Sequence, residues 1–302
     1  KDLYEFMYED SVTAFRNEDG TIDFDAIVAD NQAGAQPYGV ADSLTDSPFY
    51  GQLIGSNGFS DNGVFRSGMV RRASMNSHDW VGAISNLEGE WGNWTTSVGV
   101  DLRKYKGYHY RTINNLMGFD GYYSTGNDNS MGQIINTTVE ASPFQNTGLN
   151  GPKIDYYNVG NVGWAGVNGM VEYNKEDRFN AVVQAGLSNQ SYQREDYFDQ
   201  PENPISDVHN QMGGYVKGGA NFNLDEKSNV FFNAGMISRQ PMFDAVFPNY
   251  ANNVNEDLQN EEIRSIELGY GYNSRDLVLN ANVYSTNWGN RFISRSLANQ
   301  QG

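Results

Sequence analysis

Residues 179–188 read Phe-Asn-Ala-Val-Val-Gln-Ala-Gly-Leu-Ser, and their alternation decides the fold. The odd-numbered positions are all apolar, whereas the even-numbered positions are Asn, Val, Gln, Gly and Ser. Because successive side chains of a β-strand point to opposite faces, this segment predicts a strand with one face suited to hydrocarbon and one that tolerates water. The same alternation recurs at 97–103, 265–272 and 277–283.

Four pairs of such segments are joined by short polar turns, which indicates β-hairpins. Long connections rich in Asn, Gly, Asp, Tyr and Pro separate the pairs, at 109–161, 193–211 and 240–263. Short turns at one end of a sheet and long loops at the other are typical of outer-membrane barrels. The sequence therefore predicts an all-β fold, an antiparallel transmembrane β-barrel, with consecutive strands at 80–90, 94–108, 162–173, 179–192, 212–224, 229–239, 264–272 and 277–288. A ninth strand is predicted to begin near Phe292.

The composition excludes several classes of protein. With 37 acidic and 20 basic residues, the net charge of -17 carries no electrostatic signature of a protein that binds nucleic acid or anionic headgroups. The chain has no Cys, which excludes disulfides, a thiolate nucleophile and Cys-ligated metals. No apolar run approaches the roughly 18 to 20 residues of a membrane-spanning helix. The polar inner face of the strands favours a large barrel, because small barrels fill their interior with packed side chains.

Two regions are expected along the chain. Residues 1–79 show no sustained period and are predicted to form an extracellular loop region, in which Asp23 caps one short helical turn. Residues 80–302 are predicted to form part of an outer-membrane β-barrel. Because the N-terminus lacks the basic and apolar regions of a signal peptide, we expect a mature chain or a fragment.

The sequence offers little support for catalysis. The three His residues, at 78, 109 and 209, lie far apart and form no metal-ligand pair. No nucleophile elbow, phosphate loop or dinucleotide fingerprint occurs, so we predict no catalytic residue, no cofactor and no enzyme activity. Neighbouring carboxylates such as Glu195 and Asp196 are expected on solvated loops in so acidic a chain.

Three blocks of sequence resemble a known family. They are residues 78–87 with 99–110, residues 164–173 followed by 191–198, and residues 238–243 followed by 265–270, where Asn260 stands in place of a frequent Pro. Together they are similar to the barrel of TonB-dependent outer-membrane receptors that carry an N-terminal carboxypeptidase-regulatory-like domain. The resemblance implies a barrel of about 22 strands in the cell outer membrane, of which this chain is the C-terminal part with about nine strands.

The resemblance also implies partners. Energy would come from the TonB complex through an N-terminal plug, which is not found in this sequence. Outer-membrane lipid would surround the wall, and a surface lipoprotein is a candidate partner; no nucleic acid is expected.

We therefore expect a receptor that binds a nutrient (a glycan, a peptide or a chelate) through extracellular loops and imports it. A soluble β-sandwich, either a carbohydrate-binding module or a hydrolase, is the alternative, and a passive porin is a third candidate. Inward-facing positions are predicted for Asp101, Arg103, Glu172, Lys217, Asn221, Glu267 and Asn282. Ligand contacts are predicted for Asp101, Arg103, His109, Tyr110, Arg111, Tyr192, Arg194, Arg239 and Phe243, with Arg103 the best candidate in the lumen because a guanidinium bridges hydroxyls and carboxylates.

Overall fold

Eight long strands form one sheet in the computed structural model, which describes residues 15–33, 38, 45–56, 66–124, 132–140, 149–176 and 178–293. These strands are β3 (Arg71–Trp91), β4 (Trp94–Asn115), β7 (Ile154–Lys175), β8 (Phe179–Asp196), β9 (His209–Asn223), β10 (Ser228–Arg239), β11 (Glu261–Asn273) and β12 (Val278–Gly289). Their order in the sheet, β12-β11-β10-β9-β8-β7-β4-β3, follows the order of the predicted segments. The prediction of consecutive neighbours in one sheet is therefore confirmed.

The strands are longer than the alternation indicated. β3 begins at Arg71, nine residues before the predicted start, and β4 continues to Asn115. In the extension of β4, Tyr110, Thr112 and Ile113 are all buried, so both faces of the strand are covered. A strand that is covered on both faces loses the period of two, which is why the sequence pattern stopped short.

The predicted ninth strand is only partly covered by the described residues. Residues 291–293 are not in a strand, and residues 294–302 lie outside the described part of the chain. The strands β3 and β12 form the two edges of the described sheet, so the barrel is partial and unclosed.

Cross-strand pairing separates a polar face from an apolar one. Directly paired residues share a face, and the register pairs Glu267 with Asn233 and Lys217 with both Gly235 and Gln184. Glu267 also accepts hydrogen bonds from Asn233 Nδ2 (3.1 Å) and Asn282 Nδ2 (2.6 Å).

The remaining predicted inward residues join the same face. Asn221 pairs with Asn180, whose Nδ2 donates to Glu172 Oε1 at 2.8 Å. Asp101 lines one pocket with residues of this face, and Arg103 stands two positions further along β4. The predicted sidedness of all seven residues is thereby confirmed.

The opposite face is apolar and exposed. Leu268 is 62% exposed and Val283 is 78% exposed, and the two are paired across β11 and β12. Soluble proteins rarely expose a continuous apolar surface of this extent. Such a face is suited to contact with the hydrocarbon of a bilayer.

The chain folds into two compact units, one made of residues 1–78, 107–159 and 195–205 and the other of residues 79–106, 160–194 and 206–302. The first unit contains a small sheet that the sequence did not predict, made of β1 (Ile54–Ser56), β2 (Arg66–Ser67), β5 (Gly121–Ser124) and β6 (Gln133–Ile135) in the order β2-β1-β5-β6. Strands of two to four residues are too short to show a period. Its hydrophobic core consists of Val70, Ile113, Phe119, Tyr122, Ile135 and Ile154.

The helix predicted after Asp23 is confirmed. It is α1 (Phe24–Gln32), and the Asp23 carboxylate accepts a hydrogen bond from the backbone N–H of Ala26 at 2.9 Å. A second helix, α2 (Phe243–Val246), and a 3₁₀ turn at Pro248–Tyr250 lie between β10 and β11. Among the described residues, no helix is long and apolar enough to cross a bilayer.

Gly218 permits a close approach between β9 and β8. A Cβ atom on Gly218 would lie 2.7 Å from the backbone oxygen of Val182, which cannot move aside without separating the strands. We expect Gly218→Ala to destabilise the folded full-length receptor by about 1–3 kcal/mol. Urea unfolding in detergent micelles, followed by tryptophan fluorescence, measures this free energy.

Gly169→Ala is the matched control, because its Cβ would meet no atom closer than the backbone oxygen of Ser97 at 3.6 Å. We expect no loss of stability there, since glycine inside a strand is already unfavourable. Equal effects of the two substitutions would contradict the close approach.

Candidate functional site

A pocket of about 320 Å³ opens on the polar face of the sheet. It lies in the second unit, and strands β4, β7, β8, β9 and β10 all contribute to it. Its polar and aromatic lining consists of Asp101, Trp164, Asn168, Ser188, Tyr215, Arg239 and Gln240. Two of the predicted ligand-binding residues, Asp101 and Arg239, are thus brought together.

The wall of this pocket is held in place by specific contacts. Gly186 leaves room for the ring of Tyr215, because a Cβ atom there would lie 2.7 Å from it. Gln240 is buried, and its Nε2 donates to Ser188 Oγ at 2.8 Å and to the Ser188 carbonyl at 3.1 Å. Gln240 directly follows Arg239, so this anchor also fixes the end of β10.

The charged groups of the pocket are paired. Arg103 Nε donates to Asp101 Oδ1 at 2.8 Å, and Arg239 forms an ion pair with Glu261. The Glu261 side chain is buried, and its Oε1 has no hydrogen-bond partner among the described residues. The pocket therefore combines aromatic faces, amides and compensated charges, which is suited to binding a polar ligand without reacting with it.

Three other predicted residues hold the β10–β11 loop (240–260). Tyr192 is fully buried, and its hydroxyl donates to the Pro241 carbonyl at 2.6 Å. Arg194 is also buried and donates from Nη1 to Asn252 Oδ1 at 2.8 Å. Phe243 packs beside Phe247 with a centroid distance of 5.0 Å. These side chains build a small hydrophobic core for the loop, from Tyr192, Val246 and Phe247 with Val162, Phe243, Val254 and Leu258 around them.

The last three predicted residues belong to the first unit. His109 Nδ1 donates to Asn76 Oδ1 at 2.7 Å, since an amide oxygen only accepts. Tyr110 is fully buried, and the Lys153 ammonium lies 5.4 Å from the centroid of its ring. Burial lowers the pKa of Lys153, whose Nζ still donates to the carbonyls of Leu149 and Gly151 at 2.7 Å.

Arg111 takes part in a charged cluster. Its Nη1 donates to Asp155 Oδ2 at 2.9 Å, and Arg72 Nη1 donates to the same oxygen at 2.6 Å. The Arg111 guanidinium also lies over the ring of Tyr156, 5.0 Å from its centroid. Asp155 has a φ of +61°, a left-handed conformation that Asp adopts more readily than most residues.

Sequence reasoning missed several residues of these arrangements. Trp164 and Tyr215 stand at inward positions of the alternation, in phase with Glu172 and Lys217, so the pattern itself could have identified them. Arg72 and Asp155 were missed because their segments had been assigned to loops. Among the described residues, no group of three or more His, Asp or Glu side chains could hold a metal ion.

A single antiparallel sheet with an exposed apolar face, a polar face and long loops defines a β-barrel protein of the outer-membrane type. Residues 3–302 match the family described as TonB dependent receptor-like, beta-barrel, and the chain belongs to this family. The resemblance found in the sequence is thereby confirmed for the barrel. The type of N-terminal domain that it implied stays a prediction.

Solved structures of similar fold are transport proteins. The copper transporter OprC gives a TM-score of 0.50 at 15% identity, with 71% of this chain and 30% of that chain covered. The ferric-catecholate import receptor Fiu from E. coli K12 gives 0.46 at 13% identity, with 71% and 31% covered. The ferric yersiniabactin uptake receptor FyuA from Yersinia pestis gives 0.40 at 12% identity, with 74% and 30% covered.

The chain thus spans about 30% of the length of these three proteins. The likeness to OprC shows the fold alone. The comparison with curated proteins gives no significant match.

Proposed function

We propose that this chain is part of the barrel wall of an active-transport receptor in the cell outer membrane, which imports a nutrient with energy from the TonB complex. The observation that carries the proposal is the two-faced sheet. Its apolar face exposes large side chains such as Leu187 and Leu268, while its polar face holds a ligand-sized pocket. Membership of the TonB-dependent receptor family supports the same function.

In this proposal the ligand is bound first by the extracellular loops and then by the polar face. The accessible predicted residues, Asp101, Arg103, His109, Arg111 and Arg239, are proposed to contact it. The buried ones, Tyr110, Tyr192, Arg194 and Phe243, are proposed to hold the loops that present those contacts, since they are already occupied by packing and hydrogen bonds. The chain makes and breaks no covalent bond.

The proposed partners follow from the faces and the family. Outer-membrane lipid covers the apolar face, an N-terminal plug connects the receptor to the TonB complex, and a surface lipoprotein is a candidate for the loop side. Residues 1–79 are proposed to be extracellular and residues 80–302 to belong to the wall. The ligand is proposed to be a glycan, a peptide or a chelate, because Trp164 and Tyr215 offer faces for stacking beside amide and charged groups.

The test uses the full-length receptor expressed in matched cells with and without TonB. Uptake of a labelled maltooligosaccharide, a labelled oligopeptide and ferric citrate is measured, and the membranes are fractionated. We expect the receptor in the outer membrane and one of these probes to accumulate only when receptor and TonB are both present. Accumulation that persists without TonB would indicate a passive pore, and recovery of the protein from the aqueous fraction would indicate the soluble β-sandwich.

A further inference from the structure

The cluster around Asp155 carries an excess positive charge. Arg72 and Arg111 both donate to one oxygen of this carboxylate, at 2.6 and 2.9 Å, so two cations share a single anion. The chain as a whole has a net charge of -17. A local surplus of one positive charge therefore stands out against a strongly negative protein, which repels anions everywhere else.

The cluster is largely removed from water but still reachable. The side chains of Arg72, Arg111 and Asp155 are 23%, 22% and 20% exposed. A guanidinium that has lost most of its water is costly unless it is fully paired. The second cation of the cluster consequently lacks a carboxylate of its own and favours the arrival of an anion.

The geometry of Arg111 suits an incoming oxyanion. Stacking on Tyr156 fixes the plane of the guanidinium, and Nε lies 3.4 Å from Ser74 Oγ. Nη2 donates to no residue in the described part of the chain. A planar guanidinium that is held in place and has a remaining N–H group can bind a carboxylate or phosphate with little further loss of freedom.

We propose that Arg72 and Arg111 bind an oxyanion, a carboxylate or a phosphate group, of the imported ligand. This inference rests on the proposed function and narrows its substrate class to acidic glycans, acidic peptides or anionic chelates. Asp155 acts as a competitor that holds the two guanidinium groups in place until the ligand anion arrives. Its removal should then improve anion binding, whereas a purely structural ion pair predicts the opposite.

The experiment measures binding calorimetrically with the purified full-length receptor in detergent. Citrate and inorganic phosphate are the anionic probes and maltotriose is the neutral one. We expect at least one anion to bind the wild-type receptor, Arg111→Gln to weaken that binding about tenfold or more, and Asp155→Asn to strengthen it. Asn tolerates the left-handed backbone of position 155. Binding should also weaken as the NaCl concentration rises.

Arg264→Gln is the matched control, because Arg264 is 62% exposed and pairs with Glu262 on its own strand. This variant should bind the anion as the wild type does. A melting curve for each variant shows that the receptor is folded. Preference for citrate or for phosphate identifies which oxyanion source the cluster accepts.

The inference is overturned if neither anion binds the wild-type receptor. It is also overturned if Arg111→Gln has no effect, or if Arg111→Gln and Asp155→Asn both weaken binding. None of these readouts uses transport. A receptor that imports maltotriose in a TonB-dependent way but binds no anion would therefore retain the proposed function and lose only this inference.

Discussion

Phe247→Ala in the full-length receptor is expected to reduce nutrient uptake at least tenfold while the barrel remains in the outer membrane. Phe247 is 3% exposed and lies at the centre of the loop core with Tyr192 and Val246. Removing a buried phenyl ring typically costs about 3–5 kcal/mol. Loops at the surface open more readily than paired strands, so this loss should unfold the β10–β11 loop and leave the sheet intact. The pocket wall at Arg239 and Gln240 would then lose its support.

Met242→Ala is the control for this prediction, since Met242 belongs to the same loop but is 59% exposed. It should leave both uptake and the loop unchanged. Limited proteolysis of intact cells reports whether the loop has opened, and uptake is measured on the same cells. Normal uptake by cells whose loop is cleaved would show that recognition does not depend on this loop.

Leu268→Arg should strongly impair folding of the barrel. Leu268 lies in the middle of β11 on the apolar face, between Phe232 and Val283 on the neighbouring strands. An Arg facing lipid near the bilayer midplane costs about 2–4 kcal/mol. We expect the folded fraction to fall accordingly, as measured by urea titration of the full-length receptor in lipid vesicles.

The control is Ser265→Arg, three positions earlier on the same strand. Ser265 lies on the polar face, where its hydroxyl is 2.9 Å from that of Thr286. A long charged side chain can remain hydrated there, so stability should change little. If the two arginines cost the same, the assignment of the faces is incorrect.

The alternation of side chains was sufficient to predict the architecture of the sheet. It identified eight strands, their order and the face of each residue, because one face must meet hydrocarbon while the other need not. It could not give the full length of β3, β4 and β7, since their extensions are buried on both sides, as Tyr110 and Thr112 illustrate. The small sheet of the first unit was missed for a related reason, because strands of two to four residues show no period.

The candidate site was predicted only in part. Asp101 and Arg239 could be selected because they face inward on strands. Tyr192 and Arg194 looked equally suitable in sequence, but the β10–β11 loop folds over them and occupies their polar groups. The charged cluster of Arg72, Arg111 and Asp155 brings together residues up to 83 positions apart. No local pattern records such a meeting.

The hydrophobic core of the β10–β11 loop separates what keeps the loop folded from what it shows to the outside. Inward side chains such as Phe247 carry the stability, whereas Tyr250, 80% exposed, and Met242, 59% exposed, contribute almost nothing to it. Their identities can therefore drift, or be randomised in a library, without unfolding the segment that displays them. A receptor built in this way can acquire a new specificity by changing its surface residues alone, much as antibody loops diversify on a constant framework.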